Sequence, residues 1–409
     1  MSYLKKRLDL FKNPSFNYII LMTLFNALSI GIIYVSLSWH ILTIHNSITA
    51  IVTLMATWWL PGPLLGPIGG YLADRFPKKK LLIACDSTVI LLLIIFLLLP
   101  GGMNNLTSVY LFTLGWGILY GLSWPSNIVL MREILNDDSK LLYANSTLDT
   151  VFEFGMIIGM GSGGLIIAWL HFTQIMMLVL ILMLFTITFL ILVKSLKHTQ
   201  AQHRERFFAS WVAVVKHLNT RKFLWYFFGA QVLMTAIFMT TPTFIAPYVK
   251  NVLHASSLEF GIIEIGFSAG FIVGNLVLPA YAGRYGEAKI AIFALIMCII
   301  LFTLMALNRS VWAAFGLYFL VGIMLSSWAL VVTLAQKNTD IQLQGKAEGF
   351  FNGLSGLGVF FIYATLFVSD TTFKLPADQW FYLIALFSLI TIIPIWLGLK
   401  KYHLRDQPN

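Results

Sequence analysis

Apolar runs long enough to cross a bilayer recur twelve times along these 409 residues, and no other feature restricts the fold so strongly. In hydrocarbon a backbone must satisfy its own hydrogen bonds, so a run of about 20 apolar residues crosses as a helix. The runs lie at 17–43, 48–73, 80–99, 106–131, 144–169, 173–193, 223–249, 257–281, 288–307, 310–335, 348–368 and 379–399, numbered here as spans 1 to 12. Composition agrees: 58% of residues are hydrophobic and 11% charged, where a soluble domain carries roughly a quarter charged. The chain is expected to be an all-α membrane protein with 12 transmembrane helices.

Charge orients the bundle. With a cytoplasmic N-terminus, one side collects Lys5, Lys6, Arg7 and Lys12, then Arg75 and Lys78 to Lys80 after span 2, then Arg132 and Lys140 after span 4. It also collects seven basic residues from Lys194 to Lys222, Arg284, Lys289, Lys337, Lys346, and Lys400, Lys401 and Arg405 at the end. Of the 27 basic residues, 24 fall on that side, leaving Lys250, Arg309 and Lys374 outside. By the positive-inside rule both termini are cytoplasmic. The net charge of +10 is then accounted for by topology and anionic lipid, without nucleic acid. Cys85 and Cys298 lie inside spans with no CxxC spacing, so neither a disulfide framework nor a metal site is indicated. The basic N-terminus leads into a run too long for a signal peptide and without a small-residue cleavage pattern, so span 1 is read as retained.

The chain divides once, into an N-terminal six-helix bundle at 1–193, a linker at 194–222 and a C-terminal six-helix bundle at 223–409. The linker places Phe207, Phe208, Trp211, Val212, Val215 and Leu218 at helical spacing opposite Arg204 and Lys216, which predicts an amphipathic helix along the cytoplasmic membrane surface. The two halves repeat. An offset of 209 sets LADRFPKKK over YAGRYGEAK, with Arg75 over Arg284 and Lys80 over Lys289, although Asp74 falls on Gly283. Two pseudo-symmetric six-helix bundles are the architecture of a secondary transporter whose site lies between repeats near the midplane.

Gly70-Tyr71-Leu72-Ala73-Asp74-Arg75, followed by Lys78, Lys79 and Lys80, resembles motif A of the major facilitator superfamily, GxLaDRxGrk, with Pro77 where the family usually has glycine. The stretches from Ser36 to Asp86 and from Leu141 to Ile166 resemble the branch containing macrolide-efflux proteins and the enterobactin exporter. The resemblance implies the major facilitator fold and a role for motif A as a conformational latch. Gly70 would let spans 2 and 11 approach closely, and Asp74 would meet the positive end of span 11. Arg75, backed by Lys78, would reach Glu348 at the start of span 11 or Asp86 two turns into span 3.

Ionisable residues inside spans are costly and point to function. Span 5 carries Asp149 and Glu153, four apart on one helical face, and span 8 carries Glu264. Family geometry packs spans 5 and 8 together, which would make Glu153 and Glu264 close neighbours near mid-membrane. Two such carboxyls do not both ionise cheaply. Glu153 and Glu264 are therefore expected to bind driving protons, with Asp149 as relay toward the cytoplasm. Gly155, Gly159, Gly163 and Gly164 resemble the antiporter motif C, GxxxGPxxGG, with Met160 in place of proline, and would let span 5 lie against span 8. Span 4 lacks the mid-membrane arginine of motif B, Arg132 lying at its end instead.

Family geometry also makes spans 1, 4, 7 and 10 line the substrate cavity. They offer Asn26, Tyr34 and His40; Trp116, Tyr120 and Trp124; Gln231 and Met234; and Trp328. Aromatic and methionine side chains with scattered hydrogen-bonding groups suit a bulky amphipathic ligand. No Lys or Arg lies mid-span, which disfavours strongly anionic cargo. A serine hydrolase built on Ser162 with His40 or His171 is disfavoured, because helix packing accounts for the glycines around Ser162. No Walker-type sequence supports direct drive by ATP. The expectation is a monomeric carrier in the bacterial cytoplasmic membrane, without cofactor, driven by a proton gradient and exchanging protons for a siderophore or a macrolide-like drug. Proton-linked uptake of a small organic solute is the alternative within transporters, and a non-transporting receptor the alternative outside them.

Overall fold

Proline stands at two of the breaks within these helices, and glycine where their backbones touch. The computed structural model describes residues 9–135, 138–194, 207–339 and 341–405, apart from some side chains within helices, and every regular element among them is helical. Twelve of the helical stretches described are long and apolar enough to cross a bilayer. They run Pro14–His45, Ile48–Gly66, Lys78–Leu98, Leu106–Asn127, Thr150–Ile167 and Phe172–Leu192 in the first half. In the second half they run Phe223–Asn251, Ser257–Tyr285, Glu287–Leu307, Val311–Lys337, Gly353–Thr372 and Ala377–Lys401. Span 2 is interrupted between Trp59 and Pro61, and span 7 between Thr240 and Pro242. A proline has no N–H to give the preceding turn and its ring crowds the carbonyl there, so these are the expected points of interruption.

By backbone contacts the chain groups into two compact units. The first comprises 1–50, 57–202 and 257–265, and the second comprises 51–56, 203–256 and 266–409. Within the first, span 1 packs on spans 5 and 6, span 3 on spans 4 and 6, and the second part of span 2 on span 4. Within the second, span 7 packs on spans 11 and 12, and span 9 on spans 10 and 12. The same pattern of neighbours thus appears in both halves of the sequence. The linker forms a helix at Phe207–Thr220. Its Val214 and Leu218 are buried against Phe223, Leu224, Phe227, Ala335, Ala347 and Phe351 of the second unit, whereas Val212 is 67% exposed. The surface-lying helix expected from the pattern is therefore covered by protein on its Val214–Leu218 face. The side chains of Phe207, Phe208 and Trp211 lie outside those described.

The glycines of span 5 bring backbones together on two sides. A methyl group on Gly159 would lie 2.7 Å from the Leu28 carbonyl oxygen and 3.0 Å from Gly31 Cα, and Gly155 and Gly163 meet Leu24, Ala27 and Ile32 of the same span 1. Gly164 faces span 8, where a methyl would stand 2.7 Å from the Ser257 carbonyl oxygen and 3.0 Å from Gly261 Cα. Span 5 was expected to use all four against span 8. Spacing of four keeps Gly155, Gly159 and Gly163 on one face, toward span 1, and the next residue turns about 100° away, toward span 8.

Backbone atoms cannot yield to a new side chain as a rotamer can. Gly159→Ala is expected to destabilise the protein by about 1–3 kcal/mol, the usual range for overpacking. Gly229→Ala, at a helical position with nothing within 4 Å of the added methyl, should be neutral or slightly stabilising. Thermal unfolding in detergent compares the two.

Candidate functional site

A cavity of about 240 Å³ opens inside the first unit, walled by spans 1, 3, 4, 5 and 6. Asn26, Trp116, Tyr120 and Trp124, four of the residues expected to face a ligand, line it, together with Ser123 and Asn127. The Tyr120 and Trp124 rings lie 5.6 Å apart at 36° and form one wall. Trp116 stacks obliquely on Trp58 at 5.8 Å. Spans 3 and 6, which family geometry left out, contribute Asp86 and Thr186. Asp86 was expected beside Arg75 in the latch. It lines this cavity because Leu82, Cys85, Asp86 and Val89 share one face of span 3, and that face fronts the cavity.

Glu264 occupies a different place. Its side chain is 1% exposed, and its Oε1 accepts a hydrogen bond of 3.0 Å from the Tyr34 hydroxyl of span 1. Phe260, one turn earlier, lies 6.4 Å from the Tyr34 ring and stacks on Trp39 at 5.9 Å. Buried polar groups in hydrocarbon need such a partner. Glu153 is half-buried and within electrostatic reach of Tyr120 on the cavity wall. The structure therefore does not join Glu153 to Glu264, and helix register explains why. Spans 5 and 8 run antiparallel, Gly164 meeting Ser257 and Gly161 meeting Ile265. Glu264 is thus level with Gly161, eight residues beyond Glu153, a separation of roughly 12 Å along the helix. The side chain of Asp149 lies outside those described.

The basic end of the first unit shows what the motif A lysines hold. Lys78 is buried and forms an ion pair of 3.2 Å with Glu133 at the end of span 4. Lys79 donates to the Ile191 and Val193 carbonyls at 2.6 and 2.7 Å, closing the C-terminal end of span 6, where a cation also meets the helix dipole. Arg75 is exposed, with its guanidinium 4.6 Å from the centre of the Tyr71 ring. Gly70 and the side chains of Asp74 and Glu348 lie outside those described. Glu133 is absent from the expectations, although an acid at the far end of the helical hairpin that Lys78 opens, two helix lengths on, is a signal for it.

The remaining candidates pack against protein. His40 bonds to Asn104 Oδ1 at 3.2 Å and stacks on Phe172 at 3.8 Å. In the second unit Gln231 and Met234 are buried, and Trp328 donates its indole N–H to Thr235 Oγ1 at 2.9 Å. Met234 and Trp328 belong to a core with Ala291, Leu295, Val331 and Ile395.

Comparison with known proteins places this arrangement. The family model described as Major Facilitator Superfamily matches residues 19–363 and 232–409. A mutant of the nucleoside transporter NupG superposes with a TM-score of 0.77 at 14% identity, covering 94% of this chain and 99% of that one. A D-xylose-proton symporter superposes with a TM-score of 0.71 at 14% identity, covering 98% of each chain. An auto-inhibited peptide transporter of the POT family gives 0.74 at 11% identity, covering 97% of each. No curated protein sequence matches the chain.

Removing one member of a buried ion pair takes that charge partner from the other. Lys78→Met is expected to cost about 3 kcal/mol, the low end for such a pair because Glu133 keeps some exposure. The double variant Lys78→Met/Glu133→Leu should recover at least half of that loss in thermal unfolding.

Proposed function

Since the chain belongs to the major facilitator superfamily and is a transporter crossing the bilayer many times, we propose that it exchanges protons for a bulky amphipathic small molecule. It would work by alternating access and export its cargo across the bacterial cytoplasmic membrane, with both termini cytoplasmic. The observation that carries this reading is the bond from the Tyr34 hydroxyl to Glu264, a carboxyl buried in a membrane span. An ionised carboxyl is expensive in such surroundings, so a proton neutralises it when the site is closed to water and leaves when the site opens. Tyr34 holds the carboxyl through both states, since a hydroxyl donates to a neutral or an ionised oxygen. Glu153, beside Tyr120, is the second coupling acid, with Asp149 between it and the cytoplasm.

Aromatic and amide groups around the cavity support an amphipathic cargo. Export over uptake is supported by the likeness of the first half to efflux proteins and siderophore exporters and by the glycine pattern of span 5. Motif A, through Asp74, Arg75 and Glu348, would govern how quickly the carrier changes face.

Substrate-driven proton movement in vesicles tests the reading. Glu264→Gln should lower it at least tenfold while the chain remains folded, and Tyr34→Phe should lower it less. Undiminished coupling in both Glu264→Gln and Glu153→Gln would sink the proposal. A deletion strain compared with its parent, iron-replete and iron-starved, identifies the exported molecule by what accumulates inside.

A further inference from the structure

The cavity of the first unit contains a carboxylate that proton coupling through Glu264 does not use. Asp86 stands eight residues into span 3 from Lys78, about 12 Å along the helix, and lines the cavity. Among the described residues it makes no hydrogen bond or ion pair, and no residue lining the cavity is basic. Of the three lysines that open span 3, Lys78 pairs with Glu133, Lys79 bonds to the Ile191 and Val193 carbonyls, and Lys80 is exposed and does not line the cavity. Around the carboxylate stand the rings of Trp116, Tyr120 and Trp124 and the amides of Asn26 and Asn127. Trp124 remains 43% exposed.

We propose that this cavity is a binding subsite for an ammonium-bearing organic molecule, with Asp86 as counter-ion, Tyr120 and Trp124 as aromatic faces, and Asn26 and Asn127 as amide acceptors. An unpaired carboxylate inside a bilayer is costly, and a ligand cation supplies the missing partner. Aromatic faces attract the same sign of charge through their quadrupole. An anionic ligand would meet repulsion, and beside a neutral one a proton, not the ligand, would have to neutralise the carboxyl. A volume of about 240 Å³ lies below the range of roughly 300–1,000 Å³ for drug-sized pockets. The subsite therefore takes a compact cation or the charged end of a longer amphipath. This gives the cargo of the proposed exporter a charge; binding itself is independent of the export reading, and only the transport of the bound cation rests on it.

Equilibrium binding of radiolabelled phenyltrimethylammonium to the purified full-length chain in detergent tests the site without any proton gradient. Saturable binding at one per chain is expected, weakened at least tenfold in Asp86→Asn, as for truncation of a buried charge partner, and largely kept in Asp86→Glu. Trp124→Ala should weaken it severalfold, which keeps the test open if Asp86→Asn fails to fold by thermal unfolding. Absence of saturable binding, or equal binding by wild type, Asp86→Asn and Trp124→Ala, overturns the subsite even in a chain that still couples protons through Glu264. Binding that depends on Asp86, in a chain that moves neither protons nor cation across vesicles, upholds the subsite and overturns the export reading.

Discussion

The close approach of span 5 to spans 1 and 8 is the contact on which the first unit depends. Lipid tails are as apolar as leucine, so helices in a bilayer gain little from hydrophobic association and must hold together by packing and hydrogen bonds. Glycine lets carbonyl oxygens and Cα atoms touch, as between Gly159 and Gly31 and between Gly164 and Gly261. Those contacts fix register as well as distance. Tyr34 lies two residues beyond Ile32, which meets Gly163, and Glu264 lies one residue before Ile265, which meets Gly161. The phenol and the carboxyl consequently arrive at the same level, and the 3.0 Å bond between spans 1 and 8 is the result.

The basic end is held by a second kind of contact. Lys78 to Glu133 joins the start of span 3 to the end of span 4. In the second unit Glu287 pairs with Lys337, joining the start of span 9 to the end of span 10. Glu287 stands at the position that the 209-residue repeat sets over Lys78, so both halves tie the start of one span to the end of the next, with opposite signs of charge at the repeated position. A lysine run that suffices to orient a membrane protein thus also fastens helix ends. Its residues divide the task, Lys78 in a buried pair and Lys79 on the carbonyls of span 6.

Much of the fold was legible in the sequence, because bilayer thickness acts on each span separately. All twelve spans and the repeat come from local chemistry and length. The site was legible in part. Asn26, Trp116, Tyr120 and Trp124, which family geometry puts on a cavity, do line the cavity of the first unit, while Asp86 lines that cavity instead of standing beside Arg75, and the Lys78–Glu133 pair has no counterpart in the expectations. An acid at a known height in a span still has a full turn of directions to face, and sequence spacing alone does not choose among them.

From residue order alone came the number of spans, the basic side, the duplication and the presence of acids in spans 3, 5 and 8, since each depends on one segment and its solvent. The tertiary structure decided that Asp86 faces a cavity, that Glu264 meets Tyr34, and that Glu153 lies roughly 12 Å along the helix from the level of Glu264. Rotation and register of one helix against another are properties of the pair. They are set where glycine backbones meet, and no single span contains that information.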